Sequence, residues 1–139
     1  MTWCVVGSFE ADVNKFQRKT VDKMDQIVRK VALELFTRII YKTPVDTGRA
    51  RANWQVAIGT RPSGTVEIDD KSGNATVSQA TAKSAGFKAG DTIYLANNLP
   101  YIRRLEDGYS QQAPAGMVTL TVQEFAAVVK AIGVEISRQ

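Results

Sequence analysis

The sequence predicts an α+β fold, with a long N-terminal helix and a C-terminal helix packed on a small antiparallel sheet. Two observations predict it. Apolar residues recur at helical spacing near both ends of the chain, and short segments between them alternate with period two. At 139 residues, 44% hydrophobic and 23% charged, the chain has the size and composition of one globular domain, 1–139.

The first helix is expected from Asp12 to about Lys42. Val13, Phe16, Met24, Ile27, Val31, Leu35 and Ile39 form one stripe, with Thr20 counted in it. Asp12 is a candidate N-cap. Asp25 to Arg29 and Glu34 to Arg38 place acid before base at the favourable four-residue spacing. Pro44 ends the helix, because the residue before a proline avoids the α region. Such a helix would extend roughly 46 Å at 1.5 Å per residue. That exceeds the radius of so small a domain, so part of the stripe can pack on its own sheet or on a neighbouring subunit.

Pro44-Val45-Asp46-Thr47-Gly48 reads as a turn in which Asp46 bonds its own backbone and Gly48 takes a positive φ. Asn53 to Ile58 then alternates as a strand, burying Trp54, Val56 and Ile58 on one face. Val66 and Ile68 suggest a second short strand, closed by a turn over residues 69–73. Residues 74–85 are a helix candidate, and Gly86 and Gly90 bracket a connector. Asp91 to Asn97 predicts a further strand around Ile93, Tyr94 and Leu95. A short helix is expected over Pro100 to Asp107, with Gly108 ending it. Ser110 to Gly116 is a loop whose order periodicity cannot decide. Met117 to Val122 alternates like a strand, yet Val118, Val122, Phe125, Val129, Ile132 and Ile136 keep helical spacing. The longer pattern predicts a C-terminal helix over about 118–137.

Little here suits catalysis. The chain has no histidine, which removes the commonest general base and metal ligand. The single Cys4 sits in an apolar run with no base beside it and reads as a small buried hydrophobe. Asp69-Asp70 and Glu106-Asp107 are adjacent acids, but neighbours in a strand or helix do not converge on one ion. Gly59 to Gly64 lacks the Gly-Lys-Ser/Thr ending of a phosphate loop. No enzyme activity, metal or cofactor is therefore expected.

Other classes are constrained too. No apolar run approaches the ~18 residues needed to cross a bilayer, and Trp3 to Val6 is too short for a signal peptide. A single cysteine suits a reducing compartment. The net charge of +4, with 18 basic residues, is mild. Arg49 and Arg51 flank a turn before Trp54, and Arg103-Arg104 follow Tyr101. Basic residues among aromatics can grip nucleic acid, so a small DNA-binding module is one alternative. The same residues can equally meet acids across a subunit boundary.

Two stretches carry more information. The first is Thr43-Pro44-Val45-Asp46-Thr47-Gly48-Arg49-Ala50-Arg51-Ala52-Asn53-Trp54, just after the long helix. The second is Asn97-Asn98-Leu99-Pro100-Tyr101-Ile102-Arg103-Arg104-Leu105-Glu106-Asp107-Gly108-Tyr109-Ser110, continuing through Gln111 to Val118. In this order they resemble the phage tail-component family, also described as neck or tail-completion proteins of long-tailed phages. The departures are Ala50, where a bulkier apolar residue is common, and Asp107, where an aromatic often stands.

The resemblance implies a structural virion protein that joins or terminates the tail at the head–tail junction. It would form a homo-oligomeric ring, with a hexamer among the orders left open, between tail tube and head–tail connector proteins. DNA in the channel would be a passive contact, and no membrane is implied. Its place would be the virion tail or neck, with assembly in the host bacterial cytoplasm. A closed ring needs two unlike patches on each subunit. The long helix and the loop from Ser110 to Met117 are candidates for them. The interface residues implied are Arg49, Arg51, Tyr101, Arg104, Glu106, Ser110, Gln111, Gln112 and Met117.

Overall fold

A computed structural model describes residues 2–138, with side chains described at 14, 15 and from 17 onward. The side chains of Cys4, Asp12, Val13 and Phe16, on which expectations rested, lie outside that range. Two long helical segments, at the two ends of the chain, pack with a small antiparallel sheet, so the α+β expectation holds.

Helix α1 spans Thr2–Lys42 and is longer than expected. Its backbone runs through position 12, so Asp12 is not an N-cap. At 1.5 Å per residue it extends about 60 Å. Glu34 and Arg38 pair at 2.9 Å as their spacing predicts. Asp25 and Arg29 do not: Asp25 Oδ1 accepts from Ala89 N at 2.9 Å, and Arg29 donates to the backbone oxygens of Asp25 and Ala85. Tertiary partners outcompete the local ion pair.

The end of α1 is secured twice, because Thr43 N and Thr43 Oγ1 both donate to Ile39 O. Gly48 then takes φ 93° as expected, and its own carbonyl accepts from Asp70 N. A Cβ there would lie 2.5 Å from Asp70 C and Lys71 N, so only glycine lets the two backbones meet. Asp46 is exposed, and Thr47 Oγ1 instead accepts from Arg49 N at 3.3 Å. One helical turn, α2 (Arg49–Ala52), leads to strand β1 (Gln55–Ile58).

Strand β1 pairs antiparallel with β2 (Ile93–Ala96), Gln55 opposite Ala96 and Ile58 opposite Ile93. Trp54 and Val56 are buried, but Ile58, the last residue of β1, is 36% exposed. A two-stranded ribbon is marginal alone; this one rests on α1 and on α3 (Asn74–Ser84).

The strand expected at Val66 and Ile68 does not form. Asn53 takes its place as a side-chain partner, donating to Val66 O at 3.0 Å and accepting from Val66 N at 2.8 Å. Ile68 is 53% exposed. After the turn, Asp70 accepts from Gly73 N, Thr76 N, Thr76 Oγ1 and Ser72 Oγ, which starts α3.

Helix α4 (Ile102–Glu106) ends at Gly108, φ 88°. There Gly108 N bonds Leu105 O and Tyr109 N bonds Arg104 O, the paired closure of a left-handed cap. The C-terminal helix is divided into α5 (Val118–Gln123) and α6 (Phe125–Ser137). At the division Glu124 bridges Lys42 at 2.7 Å and Arg38 at 2.6 Å. Hydrogen bonds from Lys42 and then Arg38 hold its carboxyl below the usual range.

Helix α1 serves two cores. Ala32, Phe36, Ile39 and Ile40 meet Trp54, Val56, Ala80, Phe87, Ala113 and Met117. Ile27, Val31 and Leu35 pack against Val128, Ile132 and Ile136 of α6. Of the stripe expected on the last helix, Ile132 and Ile136 are buried, whereas Val122 is 63% and Phe125 49% exposed.

Candidate functional site: a cleft between two sequence motifs

The two informative stretches meet in space. Residues 44–50 form one wall of a surface cleft of about 380 Å³, and Tyr101, Leu105, Tyr109, Ser110 and Gln112 form the other. Three clips hold the walls together. Gln112 Oε1 accepts from Val45 N at 2.9 Å, Gln112 Nε2 donates to Val45 O at 3.1 Å, and Asn97 Nδ2 donates to Ala50 O at 2.8 Å.

Behind the cleft, two polar side chains fix the scaffold. Arg51 donates to Thr43 O, Lys71 O and Tyr41 O at 3.0, 2.7 and 2.8 Å, tying the end of α1 to the loop before α3. Glu106 accepts from Met117 N, Val118 N, Thr119 N and Thr119 Oγ1, so it caps α5 from a distance in sequence. Partial burial pushes the Glu106 carboxyl up. The Thr119 hydroxyl and the amides of Val118, Thr119 and Met117 outweigh that and hold it below its ordinary value. At Asp70 burial likewise raises, and bonds from Thr76, Gly73 and Ser72 again prevail downward.

The nine residues expected at an interface fall into distinct places. Arg49, Tyr101, Ser110 and Gln112 line the cleft together. Arg104 stands beside it, its guanidinium carbon 5.3 Å from the centroid of the Tyr109 ring. Gln111 is exposed on the adjoining loop. Arg51 and Glu106 have their polar groups engaged within the chain as just described. Met117 is fully buried in the main core, beneath the loop rather than on it.

Sequence reasoning missed Tyr109, which is 75% exposed and lines the cleft, and missed Leu105 and Val45 in its lining. The Gly108 cap was the available signal for Tyr109, because the residue after such a cap folds back over the last helical turn, here onto Arg104. Arg49 Nε lies 3.3 Å from Asp69 Oδ1, both substantially exposed, a pair worth about 0–1 kcal/mol.

Chemically the cleft offers an apolar base from Pro44, Val45, Ala50 and Leu105, two tyrosines and one arginine. Tyrosine and arginine are the side chains that anchor protein partners. Its one serine hydroxyl, Ser110 Oγ, accepts from Gln112 N at 3.2 Å. Among the described residues no three His, Cys, Asp or Glu side chains gather as a metal site would require. No described helix is long and apolar enough to cross a membrane.

Fold and cleft together define a small α+β protein that presents a shaped surface built from two sequence motifs. The chain belongs to the bacteriophage HK97-gp10-like tail-component family, whose profile matches residues 7–108. That match runs from within α1 through α4 and takes in the first motif and the second as far as Gly108. No curated protein matches the chain, and no solved structure does.

Proposed function

We propose that this tail component completes or terminates the phage tail at the head–tail junction, assembling there as a homo-oligomeric ring. The observation that carries the reading is the cleft. Both of its walls come from the motifs that mark the family resemblance, and its tyrosines and Arg49 face outward. Tyr101 and Tyr109 are large side chains left exposed at the surface, whereas Met117 is spent in the core.

In this role the cleft takes a segment of a neighbouring structural protein, with Arg49, Tyr101, Arg104, Ser110, Gln111 and Gln112 at the contact. The neighbours are a sister subunit, the tail tube and the head–tail connector. DNA passes through the ring as a passive contact, and the protein performs no catalysis.

Mass measurement of the purified chain, alone and with its tail tube protein, tests the proposal. A ring-sized complex supports it. A persistent monomer that binds duplex DNA with steep salt dependence would favour the DNA-binding module instead. Electron micrographs of intact particles with no density for this chain at the collar would refute it.

A further inference from the structure

Helix α1 leaves the body of the protein. Its first buried residue among those described is Asp25, where Ala89 N is bound. None of the side chains described from 14 to 24 is buried, so this stretch overhangs by about 16 Å at 1.5 Å per residue. Within the overhang Val21 is 48% and Met24 51% exposed. Lys15, Arg18 and Lys19 are exposed beside them.

The body carries a matching vacancy in its surface. An apolar groove of about 390 Å³ runs between α1 and α6, with Phe87 and Ile93 also in its lining. Ile27, Val31 and Leu35 form its α1 side, and Phe125 and Val129 its α6 side. All ten lining residues are apolar. Met24 stands three, four and seven positions before Ile27, Val28 and Val31, and Val21 three before Met24 and seven before Val28, so one seam on α1 runs from the overhang into the groove.

We infer that the overhanging part of α1 docks through Val21 and Met24 into the α1–α6 groove of a second copy of this chain. The inference rests on the ring reading and names one of its contacts. Overhang and groove belong to one continuous helix, so the overhang cannot fold back onto its own groove. Between copies the two meet in a ratio of one to one. A helix laid in an apolar groove is read through anchors three, four and seven residues apart, the spacing of this seam. The contact joins unlike patches, and head-to-tail contacts of that kind generate rings when the rotation closes. The basic side chains of the overhang stay in water on its outer face.

The test uses two variants of the full chain, Val21→Glu/Met24→Glu in the overhang and Phe125→Glu in the groove. Sedimentation should show each variant self-associating at least ~10-fold more weakly than the wild type, as loss of a central anchor does. The overhang residues are exposed, so circular dichroism should show an unchanged fold for that variant even if Phe125→Glu misfolds. Mixing the two variants restores one intact contact per pair and should give one-to-one dimers. A Val21→Glu/Met24→Glu chain that keeps the wild-type oligomer overturns the inference and leaves the ring reading standing. A wild-type chain that stays monomeric alone and on tail tubes overturns both.

Discussion

The side-chain amide of Gln112 is hydrogen-bonded twice to the backbone of Val45, accepting from its N–H at 2.9 Å and donating to its carbonyl at 3.1 Å. An amide so placed copies a strand partner, and it joins segments 67 residues apart. It brings the two motifs of this sequence together at one cleft. The Pro44–Gly48 turn supplies part of one cleft wall and the loop after Gly108 part of the other. Arg51 and Glu106 back up the same joint from either side, each through several backbone groups.

Trp54 is the side chain whose removal should cost the fold most. It is buried, and its indole N–H donates to Thr43 Oγ1 at 2.7 Å, which in turn donates to Ile39 O. Trp54→Ala empties a large site at the junction of α1 and β1. It should destabilise by about 3–5 kcal/mol in urea unfolding. A loss below about 1 kcal/mol would mean the site collapses around the missing ring.

Glu106→Gln keeps the shape of the side chain and removes most of its accepting capacity. Three backbone amides and one hydroxyl converge on the carboxylate, and one neutral carbonyl cannot serve all of them. The variant should lose about 1–2 kcal/mol, as for a lost helix cap, with an unchanged denaturant slope. A stability equal to the wild type's would show that water replaces the carboxylate at no cost.

Asp70 and Glu106 also predict an acid limit. Each carboxyl is held below its ordinary value in the folded chain. The unfolded chain therefore binds more protons than the folded one in that range. The stability these groups confer is complete above the ordinary carboxylate range, around pH 4–5, and is lost as pH falls through the lowered folded values. The urea midpoint should be flat from neutrality to about pH 5 and decline below about pH 4. In Asp70→Asn/Glu106→Gln the decline should be shallower; an identical acid profile would assign it to other groups.

Periodicity revealed the elements whose burial is one-sided. The stripe Ile27, Val31 and Leu35 faces α6, and the alternation of Trp54 and Val56 faces the core, as spacing alone indicates. It failed where a side chain replaced backbone pairing. Val66 looked like a strand residue, and its backbone does pair, but with the Asn53 amide. Nothing in the spacing of Glu124 signalled that Lys42 and Arg38 would hold it at the division of the last helix. The cleft was half legible. Motif residues pointed to its walls, whereas the inward turn of Arg51, Glu106 and Met117 depends on contacts distant in sequence. Such contacts leave no period to read.

The two arginines that flank the first turn separate assembly from folding. Arg51 bonds three carbonyls, and Arg51→Ala leaves them without that donor. It should lower stability by about 1.5–3 kcal/mol, the range for bonds to a charged group. Arg49 has only its exposed partner Asp69, so Arg49→Glu should change stability by no more than about 0.5 kcal/mol. Arg104→Glu removes a stack on an exposed tyrosine and should be equally mild in the monomer. Both glutamate variants should nonetheless fail to assemble, because each reverses charge at the cleft. Circular dichroism with native mass spectrometry separates the effects. Unfolded Arg49→Glu or Arg104→Glu monomers would return these residues to the scaffold, and folded variants that still assemble would move the contact away from the cleft.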